Sequence, residues 1–192
     1  MLHDHQVLTE AFLGLLDDRQ ISFVIVGGIA LLHYVPARNT DDLDLIISRA
    51  DLEAIPEVDV QEQNSMFAYG LFYGLRVNVL FDDHPLFALV RQSFARPMMY
   101  QAGKFQHSSL LTATVDGLLL LKLFALPDLY RQFNTDRVAI YETDVLQLLS
   151  RSSQPDEFFL ELLKPYVLEF DLVELGQILV DIRRKLHRLR KP

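Results

Sequence analysis

Cysteine is absent from this 192-residue chain, and its absence excludes both disulfide bonds and thiolate metal sites. Long apolar runs are absent too: the stretch LLLLKLFAL (118–126) is too short to span a bilayer and contains Lys122. The opening residues, MLHDHQVLTE, lack the basic region and the apolar segment of a secretory signal. These features predict a soluble, cytoplasmic protein that does not enter a membrane.

Basic residues are scarce except at one end of the chain. The net charge is −8, but residues 181–192 hold six basic residues and one acidic residue, which leaves 12 basic and 25 acidic residues for the rest. An acidic body disfavours nucleic-acid binding over a broad face. The basic end suits a phosphate backbone or an acidic partner. Cations in the last turn of a C-terminal helix also complement the helix dipole, and the sequence favours this second interpretation.

Hydrophobic residues make up 50% of the chain and charged residues 23%, and no repeat or low-complexity tract is present. This composition supports one sizeable core with a helical extension and disfavours global disorder. Strand-like and helix-like periods alternate until Thr114, whereas only helix-like periods follow it. We therefore predict an α/β (α+β) domain over 1–113, with a small mixed sheet and flanking helices. A C-terminal helical region over 114–192 is expected to pack on it.

Individual elements follow from the same periods and from the positions of glycine and proline. Strands are predicted over 23–26 and 43–47, as a hairpin over 65–81 that turns near 71–74, and within 98–111 around Gly103. Helices are predicted over 4–19, 29–34, 50–55, 115–126, 136–149, 157–170 and 171–189. Loops are expected at Pro127 and over 150–155.

The Gly27-Gly28 pair ends the first predicted strand and precedes a helix. Backbone N–H groups in such a turn, together with the helix dipole, suit a phosphate group. Glycine is also common in strand–helix turns for steric reasons alone. The turn by itself therefore leaves phosphate binding open.

Two aspartates occupy the second predicted strand, although aspartate is a poor strand residue. Residues i and i+2 of a strand project to one face, so Asp42 and Asp44 are expected side by side, while Leu43 and Leu45 point into the core. Adjacent carboxylates repel each other unless a cation lies between them, and Mg²⁺ bound to carboxylate and phosphate oxygens would relieve that repulsion. The alternative is a strand end whose aspartates simply face water.

A phosphate-binding turn followed by a carboxylate pair is what metal-assisted nucleotidyl transfer requires. The order VGG (26–28), a thirteen-residue gap (29–41) and DLDL (42–45) resembles the nucleotidyltransferase superfamily to which DNA polymerase β belongs. The lead-in RNTD (38–41) is similar to that of abortive-infection toxin-type members, AbiEii-like and minimal nucleotidyltransferases. The resemblance implies a nucleotidyltransferase-type fold.

The resemblance also implies a set of site residues and a cofactor. The implied catalytic residues, which would also hold Mg²⁺ or Mn²⁺, are Asp42 and Asp44. The implied nucleotide-binding residues are Gly27, Gly28, Arg38, Thr40 and Lys122.

Lys122 comes from a second resemblance, in residues 115–149. Toxin-type members follow the catalytic domain with a helix containing Lys-Leu-x-Ala, a basic residue, an acidic–basic pair and an Asp-x-x-x-Leu-Leu helix. The matching residues are Lys122, Arg131, Asp136, Arg137 and Asp144. Carried over, Lys122 would reach the nucleotide phosphates; a lysine that snorkels out of an apolar helix is the alternative.

One position departs from the family pattern. The superfamily supplies a third carboxylate from a later strand, but the matching stretch VNVL (77–80) has Asn78 in its place. An amide oxygen can ligate a cation but brings no charge and cannot act as a base. Asp82 has the parity of Asn78 but lies about 13 Å further along a strand, too far to share an ion with Asp42. The implied metal ligands are therefore Asp42, Asp44 and, more weakly, Asn78.

These expectations combine into one function and one alternative. We expect Mg²⁺-dependent transfer of a nucleoside monophosphate from a nucleoside triphosphate to a hydroxyl of a protein or RNA, weakened by Asn78. The alternative is a catalytically inactive nucleotide-binding or antitoxin-like interaction protein of the same fold. The expected partners are the nucleoside triphosphate, the macromolecular acceptor, and an antitoxin or a second copy of the chain.

Overall fold

The computed structural model describes residues 2–35, 40–102 and 105–189, and the chain divides into two compact units, 1–114 and 115–192. The first unit contains α1 (Leu2–Asp18), β1 (Val24–Val26), α2 (Gly27–Leu32), β2 (Asp42–Ile47), α3 (Arg49–Glu53), β3 (Val58–Gln63), β4 (Phe67–Phe72), β5 (Leu75–Phe81), α4 (Pro85–Ser93), β6 (Ala95–Ala102) and β7 (Phe105–Ala113). The second unit contains α5 (Val115–Arg131), α6 (Thr135–Leu149), α7 (Asp156–Leu163) and α8 (Glu169–Leu189).

The strands form a seven-stranded mixed sheet in the order β3-β4-β5-β2-β1-β7-β6. Strand β2 lies at its centre, antiparallel to β1 and parallel to β5, and β1 is in turn parallel to β7. The predicted fold class, a mixed sheet with flanking helices followed by a helical region, is confirmed. The central position of β2 matters for function because this strand carries the aspartate pair.

One face of the central strands is core and the other carries polar groups. In β2, Leu43 and Leu45 are fully buried, whereas the two aspartates between and before them are only half-buried. Strand β5 alternates in the same way, with Val77 and Val79 buried and Asn78 half-buried between them. Hydrophobic alternation therefore sets the register of both strands, because a shift by one residue would bury the carboxylates.

The predicted hairpin is confirmed as β4 and β5, joined at Tyr73 and Gly74. These two residues have φ angles of 49° and 95°. Positive φ at both central residues is the mark of a type I′ turn, whose twist matches that of the flanking strands. The Phe72 ring at the end of β4 lies 4.8 Å from the Phe12 ring of α1, which brings α1 to this part of the sheet.

The structure departs from the sequence predictions at several elements. Strand β3 was not predicted because it lies at the edge of the sheet and only Val58 in it is buried, so its sequence lacks apolar alternation. Helix α4 was not predicted either. Pro127, expected in a loop, lies inside α5, where buried leucines on both sides of it hold the helix together despite the lost hydrogen bond. Gly103 lies outside the described residues.

The helical unit follows its predicted order with shifted boundaries. Helix α7 ends at Leu163 and α8 begins at Glu169, whereas the sequence predicted a junction at residues 170–171. No helix within the described ranges is both long enough and apolar enough to cross a membrane.

Candidate functional site

Strand register brings the two aspartates and Asn78 together. Asp44 lies opposite Asn78 on the parallel strand β5 and opposite Val26 on the antiparallel strand β1. Asp42 lies two residues earlier on β2, on the same face as Asp44. Asn78, which stands where the family pattern has its third carboxylate, therefore lies beside the carboxylate pair, although it follows Asp44 by thirty-four residues in the sequence.

The Asn78 amide links the two carboxylates. Its Nδ2 donates to Oδ1 of Asp44 at 2.9 Å and to Oδ2 of Asp42 at 3.2 Å. An amide NH₂ group has two donor hydrogens, so one residue satisfies an oxygen of each aspartate. This neutral bridge reduces the repulsion between the carboxylates without any cation.

The Gly27-Gly28 turn rests directly on Asp44. Gly27 has a φ of +59°, and a Cβ atom at this position would lie 1.8 Å from Oδ2 of Asp44. The Gly28 N–H donates to the same Oδ2 at 3.3 Å. Both the backbone conformation and the close approach require glycine at position 27. The predicted phosphate-binding turn and the predicted metal ligand are thus in contact, and a phosphate would share or replace Asp44 as acceptor of the Gly28 N–H.

Thr40 completes this cluster. Its hydroxyl donates to Oδ1 of Asp42 at 2.8 Å, and a Cβ atom on Gly28 would lie 2.2 Å from the same hydroxyl oxygen. Thr40 therefore orients one carboxylate and packs against the glycine turn. Gly27, Gly28, Thr40, Asp42, Asp44 and Asn78 form a single constellation, which we call the carboxylate cluster.

Thr40→Val is expected to lower the free energy of unfolding by about 1.5 kcal/mol, since Asp42 loses a charge-assisted hydrogen bond while the side-chain volume is kept. Thr40→Ser keeps the hydroxyl and is the matched control. Urea denaturation of both variants measures the difference. Equal stability of the valine and serine variants would show that the hydroxyl contributes nothing to the cluster.

The donor set of the cluster fits one Mg²⁺ ion. Within residues 2–35, 40–102 and 105–189, no three His, Cys, Asp or Glu side chains come together as a candidate metal centre, so carboxylates alone do not build one. Asp42 and Asp44 supply hard oxygen ligands, and a half-turn of the Asn78 amide would present Oδ1 in place of Nδ2. Mg²⁺ commonly takes one or two protein carboxylates and completes its shell with phosphate oxygens and water.

Two further residues, Arg38 and Lys122, are predicted from the sequence to bind the nucleotide. Arg38 lies outside the described residues. Lys122 belongs to α5 of the helical unit, is buried, and pairs through Nζ with Oδ2 of Asp144 at 3.0 Å. The same Nζ lies 3.7 Å from the centroid of the Tyr141 ring. Two of the five positions matched to the toxin-type segment, 122 and 144, therefore bind each other, and a phosphate contact by Lys122 stays a prediction.

The aspartates after β5 do not replace the missing carboxylate. Asp82 follows the last residue of the strand and is ion-paired with Arg91 of α4. Asp83 is ion-paired with Arg49 at 2.6 Å. The expectation that Asp82 lies too far along the chain to join the pair agrees with this placement.

Arg76 is a neighbour of the cluster that the family motif does not identify. It lies opposite Asp42 on β5, is exposed, and stands on the same face as Asn78. Its guanidinium carbon is 5.7 Å from the centroid of the Tyr69 ring on β4, and Tyr69 lies opposite Asn78. Residues 76 and 78 are two apart in β5 and therefore lie on one face, so the sequence alternation alone could have identified Arg76 as a basic residue near the cluster.

Comparison with known proteins supports the fold. No family model matches the chain, and no curated protein matches it in sequence. Among solved structures, it is similar to the crystal structure of an antigenic nucleotidyltransferase-like protein from Paracoccidioides brasiliensis. The TM-score is 0.59 at 16% sequence identity, over 96% of this chain and 90% of that one. This similarity shows a nucleotidyltransferase-like fold.

Two structures of ANT(2″)-Ia are also similar at lower TM-scores. A crystal structure in complex with adenylyl-2″-tobramycin has a TM-score of 0.45 at 14% identity, over 76% of this chain and 97% of that one. A solution structure of this antibiotic-resistance factor has a TM-score of 0.49 at 14% identity, over 98% of this chain and 97% of that one.

Proposed function

We propose that this protein binds a Mg²⁺–nucleoside triphosphate at the carboxylate cluster and transfers the nucleoside monophosphate slowly to a hydroxyl group of a protein or RNA. The hydroxyl oxygen would attack the α-phosphate and lose its proton, and the bond between the α- and β-phosphates would break with release of pyrophosphate. The contact of the Gly27-Gly28 turn with Asp44 is the observation that carries the proposal. A phosphate held at the turn would lie beside the two carboxylates, which is the placement that nucleotidyl transfer needs. The nucleotidyltransferase-like fold supports the same reaction class by analogy.

Each residue of the cluster has a distinct role in this proposal. The Gly28 N–H and the start of α2 bind phosphate oxygens. Asp42 and Asp44 hold the cation, and Thr40 orients Asp42 through its hydrogen bond. The bound Mg²⁺ would neutralise phosphate charge and polarise the reacting phosphate.

Asn78 is the reason for a slow reaction. Its amide cannot accept a proton from the attacking hydroxyl and adds no negative charge to a second cation position. It also holds both carboxylates through Nδ2, and these hydrogen bonds must open or the amide must turn before all the oxygens face a cation. Affinity for the nucleotide is retained in this proposal, and the chemical step is impaired.

A second candidate is a nucleotide-binding or antitoxin-like protein without transfer activity. The Asn78 bridge favours it, because the bridge stabilises the carboxylate pair in the absence of metal. The two candidates share the binding step and differ in the transfer of label from nucleotide to acceptor. An assay with α-³²P-labelled nucleotides and a lysate as the source of acceptors separates them.

Calorimetric titration with ATP, GTP, CTP and UTP tests the binding step. We expect Mg²⁺-dependent binding of at least one nucleotide, and we expect Asp44→Asn to weaken it by about tenfold or more, since a charged ligand is lost. Asp18→Asn removes the same charge from an exposed position of α1 and is expected to leave the affinity unchanged. Binding that is independent of Mg²⁺, or that survives Asp44→Asn unchanged, would contradict the proposed site.

A further inference from the structure

Helix α8 carries three large apolar side chains that stay exposed in the part of the chain that the structure describes. Its buried seam consists of Leu175, Leu179, Ile182 and Leu186. On the opposite side, Phe170, Val173 and Val180 are 66%, 70% and 41% exposed. A surface helix normally places polar residues opposite its buried seam, so these three residues are out of place in a monomer.

These exposed residues form one stripe. At 3.6 residues per turn, Phe170, Val173 and Val180 fall within an arc of about 80°. Their spacings of three and seven residues match the seam of a helix that packs against another helix. We call these three residues the outer face of α8.

No close contact within the described part of the chain requires glycine at position 176. A Cβ atom there would meet only Cδ1 of Leu160, at the ordinary contact distance of 3.7 Å. Glycine is less favourable than alanine inside a helix, and this one lies midway between Val173 and Val180. The Cα–Cβ direction at Gly176 points toward Leu160 of α7, so this glycine lies where α8 packs on α7 of the same chain and adds nothing to the exposed stripe.

The charges of α8 are separated along its length. The exposed acidic residues Glu169 and Glu174 lie in the first half of the helix, and the exposed basic residues Arg184, Lys185 and Arg188 lie in the second half. Asp171 and Arg183 are ion-paired with Arg131 and Asp156 of the same chain. Two copies of this helix side by side and parallel would place like charges together. In an antiparallel arrangement, the acidic half of each helix faces the basic half of the other.

We propose that α8 pairs with α8 of a second copy of this chain, antiparallel, about a two-fold axis between residues 176 and 177. In this register Val173 faces Val180 of the second copy, and Glu169 faces Arg184 of the second copy. Symmetry produces each pair twice, as in any isologous interface. The basic end of α8 in one copy would thereby lie against the acidic start of α8 in the second copy. This proposal does not depend on the nucleotidyl transfer proposed above.

The mass of the full chain in solution tests the proposal. Sedimentation equilibrium over about 1–100 µM is expected to show a dimer. Val173→Asp is expected to weaken the dimer about a hundredfold, because the symmetric interface would bury the new charge twice. Ile140→Asp makes the same kind of change at an exposed apolar residue of α6, and we expect it to leave the dimer intact. A monomer at every concentration, or a dimer insensitive to Val173→Asp, would overturn the proposal.

A charge exchange tests the orientation. Glu169→Arg and Arg184→Glu are each expected to weaken the dimer about tenfold, and the two together are expected to restore it. Arg184 also pairs with Asp181 in its own helix at 3.1 Å, but that ion pair is exposed and contributes little. Restoration by the double variant cannot arise from damage to the fold. A double variant that is weaker than both single variants would overturn the antiparallel register.

Discussion

Asn78→Asp is expected to raise the rate of Mg²⁺-dependent label transfer by about 10²–10⁴-fold, the range over which a positioned general base contributes. The substituted residue lies beside Asp44 on the neighbouring strand, so a carboxylate there would complete a triad with Asp42 and Asp44. It would add the negative charge and the proton acceptor that the amide lacks. The measurement is the transfer rate with labelled nucleotide, compared with the unchanged protein.

The same substitution has an opposite effect on stability without a divalent cation. Aspartate at position 78 cannot donate to Asp42 and Asp44, and three carboxylates then face one another. We expect the free energy of unfolding to fall by about 2 kcal/mol, allowing for partial exposure of the cluster to water. In a chain of this size the melting temperature would fall by about 4–8 °C. Mg²⁺ is expected to reverse the loss, which gives a readout that does not depend on the acceptor.

Asn64→Asp is the matched control for this experiment. Asn64 precedes β4, and its Oδ1 accepts hydrogen bonds from the N–H groups of Met66 and Phe67. Aspartate can accept the same bonds, so this variant adds one negative charge outside the cluster and should show neither gain of transfer nor stabilisation by Mg²⁺. If Asn78→Asp behaves like this control, the third carboxylate is not what the protein lacks, and the inactive alternative is favoured.

Gly27→Ala is expected to have the largest effect on the cluster as a whole. The φ of +59° costs a residue with a Cβ atom about 1–2 kcal/mol, and the new methyl group would occupy the place of the Asp44 carboxylate. Displacing Asp44 also breaks its hydrogen bonds with Asn78 and Gly28, at about 1 kcal/mol each. We therefore expect a total loss of about 3–4 kcal/mol of stability together with loss of Mg²⁺-dependent nucleotide binding.

Gly74→Ala isolates the backbone part of this effect. Gly74 has a φ of +95°, and a Cβ atom there would meet nothing within 4 Å. Chemical denaturation of both variants should therefore show a loss of about 1–2 kcal/mol for Gly74→Ala and about twice that for Gly27→Ala. Nucleotide binding should be lost only in Gly27→Ala. Equal destabilisation with unchanged affinity in both variants would show that the turn and Asp44 do not act together.

Local sequence patterns were sufficient for much of this protein. Alternation in β2 and β5 predicted which residues are buried and which face the cluster, because a strand with one buried face admits only one register. The Gly27-Gly28 pair and the i, i+2 spacing of Asp42 and Asp44 predicted four residues of the cluster, whereas Thr40 and Asn78 were implied by the family resemblance. Strand β3 could not be predicted from local patterns, because its sequence is polar and its position is set by pairing with β4.

The sequence by itself determined the mixed fold class and the glycine and aspartate pairs of the cluster, because both depend on short-range periodicity and on residues with special backbone or charge. Only the tertiary structure decided what these residues do to one another. Pairing of β2 with β5 places the Asn78 amide across both carboxylates, and pairing of β2 with β1 puts Asp44 against the glycine turn. Packing of α5 and α6 likewise gives Lys122 a buried partner in Asp144. Contacts between residues far apart in sequence arise from strand pairing and helix packing, which periodicity does not encode.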